Sequence, residues 1–276
     1  IDEFFAEDKR KEHEFGDVVL EVKGLNRGRV LQNLDLSVRR GEILGIFGLM
    51  GAGRTEFLRA VFGADKRESG LIFVNGEEVE INSTGDALKL GLGLVPEERK
   101  RHGIFPEMNV RDNITIANLR NISRLLGYID KATAKKDVQH FIKALDIKTP
   151  SPYVKVKALS GGNQQKTILA KWLSIKPKVL LLDEPTRGID VGAKAEIHRL
   201  IRELAQQGLA VVMVSSELPE IMEMSDRIVV MREGKFVGEF TAAAATEQGI
   251  IELLSRRDSA LPEPDRQAGE PVPATE

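Results

Sequence analysis

The spacing of apolar residues changes period several times along the chain. Residues 18–22 form a short apolar run, and 31–38 alternate, with Leu34, Leu36 and Val38 on one face, so both predict strands. Arg40-Gly41 turns the chain into a third apolar strand at 43–47, which runs directly into a glycine-rich stretch at 48–55. Phe57, Leu58, Val61 and Phe62 then fall on one face of a helix. Residues 71–74 and 79–81 flank Asn75-Gly76, a strong two-residue hairpin signal. Leu92–Val95 predicts another strand. Residues 110–119 and 131–145 predict helices, the second from Val138, Phe141, Ile142 and Leu145. Pro150 and Pro152 end that stretch.

Beyond it, a helix near 162–174, a strand at 179–182, a helix near 193–206 and a strand at 210–215 alternate. Alternation of this kind implies parallel strands joined by crossover helices. Residues 228–231 and 236–240 around Glu233-Gly234 predict a closing hairpin, and a last helix ends near Ser255. The chain thus divides into an α/β body over 16–257 with a mainly helical insert at about 105–160. Residues 1–15 are highly charged and read as a linker remnant of a longer polypeptide. The tail, 258–276, is rich in Pro, Glu and Ala and reads as disordered.

Composition narrows the function classes. The 276 residues are 42% hydrophobic and 30% charged, which is the make-up of a soluble globular protein. The net charge of −2 gives no global argument for nucleic acid or anionic lipid. Cysteine is absent, which excludes disulfides and thiolate chemistry. No apolar run reaches 18 residues, so any membrane role passes through a partner. No secretory leader pattern follows Ile1.

Candidate chemistry begins at Gly48-Leu49-Met50-Gly51-Ala52-Gly53-Arg54-Thr55, which fits the phosphate-loop pattern except that Arg54 replaces Lys. Glycines let the backbone wrap an anion with its amides inward, and the following helix adds its positive end. Thr55 is the natural Mg²⁺ ligand, and Arg54 brings a planar fork where a compact ammonium is usual. The blander reading is a glycine-rich turn with a surface Arg. A second element, the buried strand ending in Asp183-Glu184-Pro185, puts two carboxylates where parallel sheets bind ligands. There Asp183 suits Mg²⁺ held through water, and Glu184 suits polarising a water in line with a γ-phosphate. An acidic turn after a strand is the bland alternative, and the company of the phosphate loop argues against it.

Leu159-Ser160-Gly161-Gly162-Asn163-Gln164-Gln165, ahead of the acidic pair, resembles the signature of ABC transporter ATPases. The resemblance covers about 18 to 240 and implies an ABC-type P-loop NTPase. Its fold would be a mostly parallel core sheet with an antiparallel β subdomain and a helical subdomain. It implies ATP and Mg²⁺ as cofactors. Ser160, Gly161, Gly162 and Gln164 would complete the nucleotide site of a partner domain, and Asp190, in Thr186-Arg187-Gly188-Ile189-Asp190, would lie at the domain interface. Glu97 stands where the family has a Gln that senses Mg²⁺ and the membrane partner, and Ser216 where it usually has His. More narrowly, GLMGAGRTE, LSGGNQQK, DEPTRGIDVGAK and SSELPE look like the C-terminal half of tandem ATPases of bacterial ribose, xylose and galactose importers. Such a protein would sit peripherally on the cytoplasmic face of the inner membrane. Its partners would be a second ATPase half, an integral membrane permease and, indirectly, a periplasmic sugar-binding protein, with no nucleic acid.

Four features depart from an ordinary family member: Arg54, Glu97, Ser216 and the absence of an aromatic residue in 26–29 to stack on adenine. Ser216 cannot supply positive charge to a developing γ-phosphate charge. These changes imply firm Mg-ATP binding with slow hydrolysis at this domain's own site, beside an intact signature. Two alternatives are a regulatory nucleotide-binding half and a non-transport ABC ATPase. Residues 97–102 are either a solvated charge run or a permease contact. His13, His102, His140 and His198 show no metal spacing and are expected at the surface. Trp172, Met222 and Met224 are expected to pack.

Overall fold

The computed structural model describes residues 15–119 and 131–255. The expected linker, but for residue 15, and the expected tail therefore lie outside the described residues. Strand β1 (Val18–Arg27) pairs antiparallel with β2 (Leu31–Arg39) and β4 (Ser69–Val74), and β5 (Glu77–Val79) extends the sheet in the order β2-β1-β4-β5. The second sheet has six strands in the order β10-β9-β3-β8-β7-β6. They are β3 (Ile43–Gly48), β6 (Leu92–Val95), β7 (Val179–Asp183), β8 (Ala210–Ser215), β9 (Arg227–Arg232) and β10 (Lys235–Thr241). All neighbours are parallel except the β9–β10 hairpin at the edge.

The helices are α1 (Arg54–Val61), α2 (Thr84–Leu90), α3 (Val110–Thr115), α4 (Lys131–Ala144), α5 (Gly161–Leu173), α6 (Val191–Gln206), α7 (Leu218–Met224) and α8 (Glu247–Ser255). The central strands are apolar throughout because both faces are covered. Leu44, Ile46, Leu181, Val212 and Val214 pack with α1 and the four-stranded sheet. Ile43, Phe47, Leu180, Leu182, Val211 and Met213 point the other way, onto residues of α3, α5, α6 and α7. This two-sided burial fixes β3, β7 and β8 side by side with their carboxyl ends together, and the site is built there.

The elements follow the sequence pattern with local differences. The hairpin at Asn75-Gly76 forms, with φ of 52° and 80°, but its second strand is Glu77–Val79 and not 79–81. A two-residue turn forces Val74 opposite Glu77, so the strand begins at once with exposed acids. Helix α2, capped by Ser83 through the Asp86 amide, was not anticipated. The helix expected over 110–119 is α3 followed by a 3₁₀ turn, Ile116–Asn118.

Candidate functional site

The turn from β3 to α1 is built by glycine. Gly53 caps α1 at φ 103°, and a Cβ there would lie 2.9 Å from both the Met231 methyl and the Val30 carbonyl. Gly51, at φ 81°, faces open space. The Gly48 end of β3 is buried, whereas Leu49 and Met50 are exposed. Ala52 is buried, and its carbonyl accepts from the Gly234 amide at 2.9 Å, which ties the turn to the β9–β10 hairpin.

Arg54 is not a surface residue. It is only 9% exposed, and Nη1 donates to the Ser215 carbonyl at 2.5 Å while Nη2 lies 3.5 Å from Glu184 Oε1. Burial lowers its pKa, and Glu184, Asp183 and Glu56 work against that. Thr55 Oγ1 donates to Asp183 Oδ1 at 3.1 Å, so the glycine-rich turn and the acidic strand end meet.

Asp183 ends β7 and is buried. Burial pushes its carboxyl up to about 6, helped by the neighbouring Glu184 charge and opposed by Thr55 and Arg54. Glu184 adopts φ 48°, a left-handed backbone that a non-glycine residue holds only when its surroundings impose it. Its amide donates to the Val214 carbonyl at 2.9 Å, and Oε2 accepts from Ser216 Oγ at 3.2 Å. Burial raises the Glu184 pKa, while Arg54 and Ser216 pull it down. The glycine-built turn, two carboxylates, a short hydroxyl and a buried cation therefore meet at one point.

The other residues singled out in the sequence occupy the flanks. Ser160 precedes α5 without capping it; its hydroxyl accepts from Asn163 Nδ2 at 2.9 Å, and the residue is exposed. Gly162 is packed so closely that a Cβ would lie 2.5 Å from Ala193 Cβ on α6. Gln164 is buried, with Nε2 donating to the Leu159 carbonyl at 3.0 Å. Asp190 caps α6 through the Ala193 amide at 2.9 Å. Glu97 pairs with Arg187, and Arg99 Nη2 reaches the Gly188 carbonyl at 3.4 Å. The segment after β6 therefore touches the loop after β7.

A model of the ABC transporter family matches residues 31–187, more than half of the chain. The chain belongs to the ABC transporter family. It is 52% identical over 240 residues to the ribose import ATP-binding protein RbsA of Bacillus licheniformis, a match over 87% of this chain and 48% of that protein. It is 49% identical over 245 residues to a putative ribose/galactose/methyl galactoside import ATP-binding protein of Burkholderia lata, over 89% and 48% respectively. The chain thus spans about half the length of the curated relatives it matches. Among solved structures it resembles a nucleotide-free ATP-binding cassette from an ABC transporter, at TM-score 0.72 and 19% identity over 87% of this chain and 96% of that one. It also resembles the dimeric MJ0796 cassette bound to ADP and Pi, at TM-score 0.68 and 21% identity over 81% and 98%. At these identities the structural likeness shows the fold, and it agrees with the mixed sheet, antiparallel sheet and helices described above.

One expectation for this ABC domain needs correction. His102 and His140 are exposed, but His198 is buried, with Nε2 2.6 Å from Glu220 Oε1. Glu220 also takes Thr186 Oγ1 and Ser215 Oγ, each at 2.5 Å. Burial works to raise the Glu220 pKa, but the bonds from His198, Ser215 and Thr186 outweigh it and hold the carboxyl at about 2. Sequence reasoning missed this cluster. The only signal was an acid on the short helix α7 beside Leu218, Ile221 and Met224, which are all buried. Among the described residues no group of three or more acids and histidines could hold a metal ion, and no helix is long and apolar enough to cross a membrane.

Proposed function

We propose that this chain binds ATP at the turn 48–55 and hydrolyses it slowly, as one ATPase half that powers sugar import through a membrane permease. The convergence of Thr55, Asp183, Arg54, Glu184 and Ser216 at one turn supports the nucleotide part. The curated relatives, named as ribose and galactose import proteins and about twice as long, support the sugar and tandem parts.

The residues fit Mg²⁺, an ion that takes hard oxygen donors: Thr55 Oγ1 would hold it directly and the Asp183 carboxylate through water. When bound, Mg²⁺ neutralises charge on the β- and γ-phosphate oxygens. The turn amides would hold the phosphates, and Arg54 would swing from Glu184 toward them. Glu184 would orient a water and accept its proton as the water oxygen bonds to the γ-phosphorus and the bond to the β–γ bridging oxygen breaks. Products are ADP and phosphate. Ser216 adds a hydroxyl but no positive charge at that point, which is the reason for a low rate.

Ser160, Gly161, Gly162 and Gln164 would complete a partner domain's nucleotide site, with Asp190 at the interface. Glu97 would report to the permease, and the domain would sit on the cytoplasmic face of the inner membrane. A regulatory half with little hydrolysis is the second reading, favoured by Arg54 resting on Glu184. Steady-state phosphate release separates the two. Slow but Glu184-dependent release is expected, below the roughly 1 per second at which enzyme rates begin. Release unaffected by Glu184→Gln supports the regulatory half.

A further inference from the structure

Behind the paired acids lies a buried carboxylate that the proposed reaction does not use. Glu220 is 3% exposed and accepts hydrogen bonds from three elements at once. Thr186 belongs to the loop after β7, His198 to α6, and Ser215 to the end of β8. An ionised carboxylate only accepts, so His198 Nε2 carries the hydrogen. Lys194 Nζ stands 3.9 Å from Oε1 on the outer side.

Each tethered loop carries a group of the hydrolytic site. Thr186 lies two residues beyond Glu184, whose backbone is held at φ 48°. Ser215 precedes Ser216, and its carbonyl is the acceptor for Arg54. Ser215 Oγ also accepts from the Glu217 amide at 3.0 Å. Other tethers of these loops lie on their exposed residues: Arg187 pairs with Glu97, the Gly188 carbonyl accepts from Arg99, and Glu217 Oε2 accepts from Lys194 Nζ at 2.6 Å, whereas the Glu220 bonds are buried. A left-handed Glu184 persists only if its surroundings over-determine it; Arg54 bridges the two loops from the turn side, and Glu220 bridges them from behind. Filling the same space with apolar atoms would avoid the cost of burying a charge, so stability alone does not account for a carboxylate here.

We propose that Glu220 is a positioning residue for ATP hydrolysis, setting the separation of Glu184 and Ser216 from behind without touching nucleotide. This rests on the reading of Glu184 as the water-orienting base. Through His198 the same anchor holds α6, whose Ala193 packs on Gly162, so the site and the signature helix share one support.

The test compares the full chain with Glu220→Gln and Thr186→Val. The Gln side chain keeps the shape but offers one acceptor oxygen, so at least one of the three donors loses its partner. Single-turnover cleavage of prebound Mg-ATP is expected to fall about tenfold or more in Glu220→Gln, with Mg-ATP affinity within about twofold, since misplacement taxes the chemical step and not ground-state binding. Backbone hydrogen exchange is expected to rise at 184–187 and 215–217 and to hold in β3. Thr186→Val should show a smaller change in the same direction. Wild-type cleavage with unchanged loop exchange in Glu220→Gln overturns the proposal. So does a joint loss of affinity and of protection throughout β3 while Thr186→Val behaves as wild type, because Glu220 then only stabilises the fold. If the wild-type chain cleaves nothing, the reading of Glu184 as base falls, and the exchange comparison alone decides whether Glu220 sets the loops.

Discussion

The Arg54 guanidinium rests on Glu184, with Nη2 3.5 Å from Oε1, while Nη1 is anchored 2.5 Å from the Ser215 carbonyl. The cation proposed to meet phosphate thus also engages the carboxylate proposed to orient water. Both side chains are about nine-tenths buried, so solvent screens the pair little.

Replacing Arg54 by Lys gives one compact ammonium, which cannot span both acceptors. Releasing one charged contact of about 1.5 kcal/mol from Glu184 corresponds to roughly tenfold in rate. Arg54→Lys is therefore expected to raise phosphate release at saturating Mg-ATP by about that factor. A variant that still binds ATP but turns over no faster shows that the Arg54 contact does not restrain Glu184.

Ser160 is exposed, does not cap α5, and its hydroxyl accepts from Asn163 rather than from Arg54. Ser160→Arg should leave this chain's own Mg-ATP affinity within about twofold, because the exposed side chain bonds to Asn163 and not to the turn 48–55, and a surface substitution costs fold stability less than about 0.5 kcal/mol. In the assembled transporter it should abolish ATP-driven uptake. Uptake at the wild-type level removes the signature from the account. Gly162 is a poorer choice for this test, because Ala193 leaves no room for a side chain.

Lys171 gives a pH dependence of defined sign. Its Nζ donates to the Gly103 carbonyl at 2.5 Å and lies 4.8 Å from the Trp172 ring centroid. Burial pushes its pKa from 10.5 down to about 8. Between these values the unfolded chain binds more protons than the native one, so stability rises with pH across the window. The gain reaches about 3 kcal/mol by pH 10.5. Urea unfolding of wild type and Lys171→Met at pH 7.5 and 10 measures it: the difference between the two proteins should shift in favour of wild type at the higher pH. A pH-independent difference means that Lys171 is not held at a lowered pKa.

The sequence revealed the framework because its signals are local. Strands such as 43–47 and 179–182 read correctly because both faces are buried, which leaves uninterrupted apolar runs. The turn 48–55 and the Asp183-Glu184 pair were legible because backbone wrapping and charge placement demand particular residue types at fixed spacing. Strand β5 was misplaced because its exposed edge residues, Glu77 and Glu78, carry no apolar signal. The inward course of Arg54 and the burial of His198 were not legible. Both depend on acceptors brought from distant elements, Ser215 for one and Glu220 for the other, and composition along a single helix does not encode such partners.

Equilibrium titration of the chain with ATP, with Mg²⁺ and with excess chelator, probes the proposed nucleotide site most directly. With Mg²⁺, one saturable site per chain is expected. Chelation should weaken it by about ten- to hundredfold, the worth of a charged contact of 1.5–3 kcal/mol. Asp183→Asn should bind weakly and no longer respond to chelator, because the carboxylate facing Thr55 is gone. Absence of saturable binding, or an Asp183→Asn variant as tight and as Mg²⁺-dependent as wild type, contradicts a nucleotide site at this turn.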